Sequence, residues 1–409
     1  MKKSISFIHA ADLHLDSPFK GLANLPEHIF RAIHNSTFAA LNRLVDSAIA
    51  KKVDFVLLIG DLFDNEKQSL KAQIRLRRAF EKLQFYDINV YLSYGNHDFI
   101  NGNVHPVRYP DNVFIFEKEH ISHFTYEKDA EKLAAIYGFS YENRAVLTNK
   151  AADYRITNPE IPFHIATLHG SIRSNTDHDV YAPFQLSDLK KQNFNYWALG
   201  HIHKREILQT DPPIVYPGNI QGRNPKEIGE KGCYHTILSE TGAKLSFIPL
   251  QDIEFQQLSI DVSDCDQIHQ IETRIQTEIK RKQSRAGRLL IQLTLISDQI
   301  ILKQWEQNSY LEEIMELVNE SFIHYENWCC IYNVKVEIKA SAADSEQYKG
   351  EHFIGELICQ FNETSIHPYM EELYQQKQVR KYLETLTEDE EKEIKQDARQ
   401  LLLNELLKE

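Results

Sequence analysis

Residues 53–64, Val53-Asp54-Phe55-Val56-Leu57-Leu58-Ile59-Gly60-Asp61-Leu62-Phe63-Asp64, join a short apolar run to a turn that carries two carboxylates. An apolar run of this length, rich in β-branched and aromatic residues, is typical of a buried strand. Gly60 allows the backbone to turn sharply where that strand ends. The segment therefore predicts a sheet with Asp61 and Asp64 on a loop at one end of it.

Four further motifs place polar side chains directly after apolar runs in the same way. In chain order they are Asp12-Leu13-His14, Gly95-Asn96-His97-Asp98, His169-Gly170 and Gly200-His201-Ile202-His203. Since each motif follows a predicted strand, their side chains are expected to gather at one end of the fold around a pair of metal ions. The candidate metal ligands are Asp12, His14, Asp61, Asn96, His169, His201 and His203.

The charge of the chain limits how it can bind nucleic acid. Across 409 residues, 59 acidic side chains oppose 46 Lys and Arg, which gives a formal net charge of −13. This balance argues against a protein that holds nucleic acid mainly through a global positive field. Any contact with nucleic acid is therefore expected to be local, metal-assisted or helped by a partner.

Cysteine usage and the N-terminus indicate a cytoplasmic protein. The five cysteines show no Cys-x-x-Cys spacing and no even framework, which argues against disulfides and zinc–thiolate sites and fits a reducing compartment. After Met1-Lys2-Lys3 the apolar stretch is broken by His9 and Asp12, so neither a signal peptide nor a membrane span is expected.

Strands and helices alternate over the first 250 residues. Predicted strands cover residues 4–10, 53–59, 89–94, 112–116, 133–141, 163–168, 196–199 and 213–216. Between the first two, Ser36 can cap a helix with apolar residues on one face, and Ser69 can open a second helix. The pattern predicts an α/β domain over residues 1–250.

The pattern changes after residue 250. Strands at 255–262 and 289–296, a helix that Asp264 can cap, a long helix at 302–322 and a strand containing Val334 predict a small α+β domain over 251–342. Residues 343–409 are mostly helical and charged in pattern, with a capping box at Thr387 and Glu390 before the apolar stretch 401–407. That stretch can pack on the chain's own core or dock on a partner.

The ligand types suggest the chemistry of the site. Hydrolysis of a phosphodiester needs a nucleophile at neutral pH and a cation that neutralises charge on the phosphate oxygens, and two metal ions about 3.5–4 Å apart supply both. Asp61 is the expected bridging ligand, with the remaining ligands divided between the metals as Asp12, His14 and His203, and as Asn96, His169 and His201. Mixed imidazole, carboxylate and amide ligands suit manganese, iron or zinc better than calcium or an all-oxygen magnesium site.

Two residues are candidates for catalysis. His97 adjoins the ligand Asn96 but points differently, so it is free to donate a proton to the leaving oxygen. Asp64 can accept a hydrogen bond from the other imidazole nitrogen and hold His97 protonated and oriented. Alternatively, Asp64 caps the helix that follows it.

The five motifs, present in order, resemble those of the calcineurin-like metallophosphoesterase superfamily. Within it, the opening residues 9–16 (HAADLHLD), the block 60–64 and the tail beyond the catalytic domain look like the SbcD-type DNA-repair nucleases. Residues 216–223 (YPGNIQGR) through 229–232 (GEKG) look most like the YhaO branch of that group. The resemblance covers roughly residues 4–250 and implies a β-sandwich flanked by helices.

The resemblance also implies a function and partners. It implies a manganese-dependent nuclease subunit in DNA repair that forms a homodimer and works with an SbcC-like coiled-coil ABC-type ATPase. A small capping domain and a helical C-terminal region that docks on the ATPase belong to the same expectation, although the acidic tail shows no docking signature. The roles of the seven ligands, and the pairing of Asp64 with His97, agree with those that the resemblance implies.

The sequence is also compatible with other functions and with other roles for its basic residues. A small-molecule or cyclic-nucleotide phosphodiesterase would use the same metals, and a non-catalytic interaction subunit would keep the fold with a vestigial site. Arg223, Lys226 and Lys231 can contact phosphates or belong to a solvated turn. The basic stretch at 280–288 can be a solvated helix end or a DNA contact that would show as salt-dependent affinity.

Overall fold

The computed structural model describes residues 3–339, apart from 20–21, 23–24, 65–67, 103–106, 174–180, 192, 284–286 and 300, together with 364–365, 390–392, 394–395 and 398. The chain divides into one compact unit of residues 1–296 and 301–337 and a second of 297–300 and 338–409. Thr387 of the expected capping box, the apolar stretch 401–407 and most of the predicted helical tail lie outside the described residues.

One layer of the first unit is a six-stranded sheet. Its strands are β1 (Ser4–Ala11), β2 (Phe55–Ile59), β3 (Asn89–Ser93), β4 (Val113–Ile115), β11 (Gly232–Ser239) and β12 (Gly242–Pro249), in the order β12-β11-β1-β2-β3-β4. Strands β1 to β4 run parallel, and β11 pairs antiparallel with β1. The carboxyl ends of β1, β2 and β3 therefore lie together at one edge.

A second six-stranded sheet forms the other layer. Its strands are β5 (Ser122–Lys128), β6 (Glu131–Gly138), β7 (Phe163–His169), β8 (Tyr196–Gly200), β9 (Glu206–Thr210) and β10 (Pro213–Tyr216), in the order β5-β6-β7-β8-β10-β9. Strands β6, β7, β8 and β10 run parallel. The two sheets pack through buried aromatic rings, since Phe7 of the first stacks on Phe55 at 5.2 Å and meets Tyr196 of the second edge-on at 5.2 Å. The predicted β-sandwich is confirmed.

Helices α1 (Glu27–Lys51) and α2 (Leu70–Phe85) cover the outer face of the first sheet, and α3 (Leu186–Lys190) lies against the second. Ser69 caps α2, because its side chain accepts a hydrogen bond from the Ala72 amide at 3.1 Å. The predicted cap at Ser36 is wrong, because α1 begins earlier and Ser36 lies inside it. Its hydroxyl donates to the Ile33 carbonyl at 2.6 Å, a local bond that a serine can make within a helix.

Residues 253–338 contain strands and helices in the predicted α+β pattern. They comprise β13 (Ile253–Asp261), α4 (Ile268–Gln283), β14 (Arg288–Ser297), α5 (Ile301–Gln307), α6 (Tyr310–Phe322) and β15 (Cys329–Ile338), with the strands in the order β13-β14-β15. The single helix expected at 302–322 is wrong, because the chain breaks at Ser309, whose φ is 60°. Phe255 and Trp328 pack against Ile29 and Ile33 of α1, which holds this sheet to the N-terminal part.

No helix in the described ranges combines the length and apolarity needed to cross a bilayer.

Candidate dinuclear metal centre

All seven predicted ligands come together where parallel strands end. Asp12 and His14 follow β1, Asp61 follows β2, Asn96 follows β3, His169 is the last residue of β7, and His201 and His203 follow β8. Donor atoms lie within 4.8 Å of one another in each of three clusters: Asp12 with His14 and His203, Asp61 with His169 and His201, and His14 with Asp64 and His97. The structure thus gathers every residue that the sequence assigned to the site.

The backbone at this edge adopts conformations that side chains normally avoid. Asp12, His14, Asp61 and His201 have φ angles of 52°, 41°, 49° and 96°. Such conformations persist where surrounding contacts enforce them and are concentrated at functional sites. The enforcing contacts here include the His14 amide, which donates to the Asp61 carbonyl at 3.0 Å, so the two loops fix each other.

Two glycines are required by close approach of the ligands. A Cβ placed on Gly95 would lie 2.3 Å from Oδ1 of Asp61, and one placed on Gly60 would lie 2.2 Å from Nδ1 of His169. Since real Cβ contacts are longer, either substitution would displace a ligand.

The first ligand group consists of Asp12, His14 and His203. The Nε2 atoms of His14 and His203 lie 3.0 Å apart, and Oδ2 of Asp61 is 3.7 Å from Nε2 of His14. Burial, together with the charge of Arg223, lowers the pKa of His14 to about 3. His14 is therefore neutral at pH 7 and has a lone pair available for a cation.

The second ligand group consists of Asn96, His169 and His201. Oδ1 of Asn96 lies 3.1 Å from Nε2 of His169 and 3.3 Å from Nδ1 of His201. Oδ2 of Asp61 is 3.4 Å from Nε2 of His169. Burial alone would lower the pKa of His169, but the Asp61 carboxylate raises it to about 9. A divalent cation beside Asp61 would displace that proton, so metal binding is expected to release protons.

The donor set fits a pair of divalent cations. The same carboxylate oxygen, Oδ2 of Asp61, faces both ligand groups, which is the position of a bridging ligand. Imidazole, carboxylate and amide donors without a thiolate suit manganese, iron or zinc. The arrangement can hold two cations on one side of a phosphate group.

His97 lies beside the first ligand group. Its ring meets that of His14 edge-on at 5.0 Å, and its amide donates to Oδ1 of Asp61 at 3.0 Å. Nδ1 of His97 donates to the main-chain carbonyl of Asp64 at 2.8 Å. A carbonyl oxygen only accepts, so this bond keeps the proton on Nδ1 and directs Nε2 away from Asp64.

The predicted role of the Asp64 carboxylate needs correction. Its side chain does not accept from His97: it lies 3.3 Å from Nδ1 of His14 and forms an ion pair with Arg223. Although burial opposes the shift, the hydrogen bond from His14 and the charge of Arg223 lower the pKa of Asp64. Asp64 thus supports a ligand with its side chain and His97 with its main chain.

Glu227 is a site residue that the sequence did not reveal. Its carboxylate accepts from Nδ1 of His203 at 2.7 Å, from the Arg223 amide at 2.7 Å and from the Asn219 side chain at 2.7 Å. Such contacts fix the orientation of an imidazole ligand. The available signal was one of two carboxylates, Glu227 and Glu230, in the Gly- and Lys-rich segment downstream of His203, and the sequence alone does not show which of them faces an imidazole.

Two basic residues of that segment, Arg223 and Lys231, also lie beside the first ligand group. Arg223 is engaged by Asp64, and the ammonium group of the buried Lys231 donates to the His203 carbonyl at 3.2 Å. Both support the loop of the first ligand group. Asp98 supports the neighbouring loop, because its carboxylate accepts from the amides of Gly95 and Leu62, each at 2.7 Å.

Sequence comparisons agree with this site. A family model described as calcineurin-like phosphoesterase matches residues 5–205. The chain is 35% identical, over 99% of its own length and 99% of the relative's, to a Bacillus subtilis (strain 168) protein described as the uncharacterized metallophosphoesterase YhaO. It is 26% identical to the DNA double-strand break repair protein Mre11 of Methanocaldococcus jannaschii, over 63% of this chain and 69% of that protein. The Mre11 of Sulfurisphaera tokodaii is 29% identical over 50% of each chain.

Proposed function

The chain belongs to the calcineurin-like phosphoesterase family, and on that premise we propose that it is a nuclease that hydrolyses phosphodiester bonds in DNA with two divalent metal ions. The observation that carries this proposal is the convergence of both ligand groups on Oδ2 of Asp61, with His97 beside them. Metal-dependent phosphoester hydrolysis is common to the family, whereas the DNA substrate is part of the proposal.

The seven ligands would hold the metal pair. Asp12, His14 and His203 would bind one ion, Asn96, His169 and His201 would bind the other, and Asp61 would be shared. When bound, two such ions supply a nucleophile from water at neutral pH and offset the charge on the phosphate oxygens. Glu227 keeps the ring of His203 oriented toward the first ion, because it holds the opposite nitrogen at 2.7 Å.

His97 would act on the leaving group. In its protonated form, Nε2–H donates a proton to the departing 3′ oxygen as the bond between phosphorus and that oxygen breaks. The Asp64 carbonyl accepts from Nδ1–H before and after this transfer, so the ring keeps its orientation throughout. The nucleophile enters on the opposite side of phosphorus, in line with the leaving oxygen.

Several finer features belong to the same proposal. Support for DNA as the substrate comes from the two archaeal Mre11 proteins, whose names describe DNA double-strand break repair. On this basis we propose manganese as the metal, a homodimer as the assembly, an SbcC-like coiled-coil ATPase as the partner and DNA repair in the cytoplasm as the context. Residues 251–342 would serve as a capping domain and residues 343–409 as the partner-docking region.

The test is cleavage of end-labelled single- and double-stranded DNA by the full chain with Mn²⁺. An Asn96→Ala variant should yield no products, because it removes a ligand. An Asn308→Ala variant, altered at an exposed residue after α5, should cleave as the parent does. Metal-dependent hydrolysis of a cyclic nucleotide without any cleavage of DNA would replace this proposal by a small-molecule phosphodiesterase.

A non-catalytic role would give a different result. If the parent chain hydrolysed neither DNA nor an aryl phosphodiester, and the Asn96→Ala protein still supported the cellular function, the centre would be vestigial. In that case, deletion of residues 343–409 should abolish the cellular function instead.

A further inference from the structure

A line of cations runs along one side of α2. Lys71, Arg75, Arg78 and Lys82 are separated by three or four residues, a spacing that places side chains on the same face of a helix. Lys71, Arg78 and Lys82 are exposed, and Arg75 is half-buried. This concentration of positive charge contrasts with the net charge of −13 for the whole chain. We call this line the α2 stripe.

The α2 stripe borders a groove between α1 and α2. The groove encloses about 390 Å³ and is lined by Asn42, Val45, Arg75, Arg78, Ala79 and Lys82. The guanidinium of Arg75 lies 4.3 Å from the centroid of the Phe38 ring, which fixes its position in the groove. Within the described part of the chain, Lys71 and Arg78 form no ion pair. Two cations of the stripe are thus available to an anionic ligand.

Exposed aromatic rings continue the α2 stripe at its far end. Phe85, three residues after Lys82, is 81% exposed, and Tyr86 is 50% exposed. Their ring centroids lie 5.2 Å apart in an edge-to-face arrangement. Burying such rings against a partner would remove a large apolar area from water, so their exposure beside cations indicates a binding surface.

The topology connects the stripe with the metal centre. Strands β2 and β3 are parallel, so α2, which joins them, runs back from the edge that carries the ligands. Its first residues follow the loop of Asp61 and Asp64, and its last turn lies toward the opposite edge. With 16 residues, α2 is about 24 Å long.

We propose that the α2 stripe binds the single-stranded part of a DNA substrate, with phosphates on the cations and bases stacked on Phe85 and Tyr86. Cations that follow a backbone, combined with exposed aromatic rings, are the features by which proteins bind single strands without sequence preference. A second copy of this chain is a poor occupant, because two such faces would bring like charges together. The inference rests on the proposed function, since it assigns a path to the DNA.

The experiment measures binding apart from cleavage. The full chain is titrated in EDTA into labelled oligothymidylate and into a labelled duplex, and anisotropy is recorded between about 50 and 200 mM salt. The variant K71Q/R78Q/K82Q removes three cations of the stripe and keeps Arg75 on Phe38. Its matched control, K280Q/R281Q/K282Q, removes three cations from the end of α4.

The stripe variant should bind the single strand about 25-fold more weakly at 0.1 M salt, and the slope of log K against log salt should fall by about 1.4. Each of the two available cations, Lys71 and Arg78, contributes about 0.7, whereas Lys82 is already paired with Asp46. The control should match the parent. F85A/Y86A should weaken binding to the single strand at least about five-fold, which corresponds to the lower end of the stacking contribution of one base, and should leave duplex binding unchanged. All variants should hydrolyse an aryl phosphodiester at the parent rate, which shows that they are folded.

Three results with the variants would overturn the inference. They are unchanged binding by the stripe variant, equal losses in stripe and control variants, and a change from dimer to monomer in F85A/Y86A without any loss of DNA binding. Failure of the proposed function looks different: the parent would bind the single strand through the stripe and cleave an aryl phosphodiester, yet would not cleave DNA with Mn²⁺. A parent that binds no DNA would contradict the inference directly.

Discussion

The two ligand groups of the metal centre are supported by different parts of the protein. In the first ligand group, side chains hold both imidazoles: Glu227 contacts His203 at 2.7 Å, and Asp64 contacts His14 at 3.3 Å. The third member, Asp12, accepts from the His201 amide at 3.0 Å. In the second ligand group, His169 donates from Nδ1 to the main-chain carbonyl of Ile59 at 3.1 Å. Asp61, which faces both ligand groups, is likewise held by a main-chain group, because it accepts from the His97 amide at 3.0 Å.

This difference predicts how each metal position responds to mutation. A carbonyl of β2 remains whatever side chain is substituted, so the support of His169 is inherent in the sheet. The supports of His14 and His203 can be removed singly, and they come from loops that are distant in the chain. We therefore expect the first metal position to be the more adjustable of the two.

The largest effect is expected for Asp61→Asn, which should empty both metal positions and so remove the difference between the two ligand groups. Asp61 faces both ligand groups, and loss of its charge should release both metals and reduce phosphodiester hydrolysis by at least about 1,000-fold. Metal content per chain and the hydrolysis rate measure this. Asp264→Asn, at an exposed carboxylate that pairs with Arg274, is the control and should behave like the parent. One retained metal would show that Asp61 is not shared.

Substitutions of the ligand His201 and of the proposed proton donor His97 should separate metal binding from turnover. His201→Ala should lose the metal of the second ligand group and keep that of the first. His97→Ala should keep both metals and lose about 100- to 10,000-fold in turnover, because it removes only the proton donor. Metal analysis beside kinetics distinguishes the two. A His97→Ala protein that turns over at the parent rate would exclude this residue from the chemistry.

Glu227→Gln tests the side-chain support of the first ligand group. We expect about 10- to 100-fold weaker binding of one metal equivalent, because loss of the charged acceptor frees the ring of His203. Excess Mn²⁺ should restore the rate. Glu230→Gln is the matched control, since this nearby carboxylate is exposed and lies 3.8 Å from Arg205. Equal weakening of both metal equivalents would contradict the division into two groups.

A smaller effect is expected for Arg223→Gln. Arg223 does not contact a ligand itself: it pairs with Asp64, and Asp64 contacts the ligand His14. Metal affinity should therefore fall less than about 10-fold. A two-site titration with Mn²⁺ measures it, with Arg155→Gln, at a surface arginine, as the control. A loss larger than that of Glu227→Gln would mean that Asp64 matters more to the site than Glu227.

The sequence predicted the part of the site that is encoded locally. Each ligand follows a strand whose apolar run ends at a short polar motif, so the strands around Asp61, Asn96 and His169 and their shared edge could be inferred together. The alternation of strands and helices, the Ser69 cap and the α+β pattern came from equally local signals, whereas the β-sandwich was implied by the resemblance to the calcineurin-like metallophosphoesterases. The structure confirmed the strands and the Ser69 cap and brought the predicted ligands together.

What the sequence did not predict depends on contacts between distant residues. The partner of Asp64 is Arg223, 159 residues away, and Glu227 reaches His203 across 24 residues. Strands β5, β9, β11 and β12 were missed. Of these, β5, β9 and β12 lie at sheet edges and are mostly exposed or half-exposed, so they lack the continuous apolar run of a buried strand. Ser36 was placed wrongly because a serine that bonds to a carbonyl within a helix looks like a cap in the sequence.

The measurement that most directly tests the central claim is titration of the metal-free full chain with Mn²⁺, followed by electron paramagnetic resonance. Two equivalents should bind and give the spectrum of a spin-coupled pair, because both ions would share Asp61. In Glu227→Gln, the metal of the first ligand group should bind more weakly than in the parent. The coupled spectrum should therefore appear only at a higher concentration of Mn²⁺. A single equivalent with the spectrum of an isolated ion would contradict the dinuclear centre.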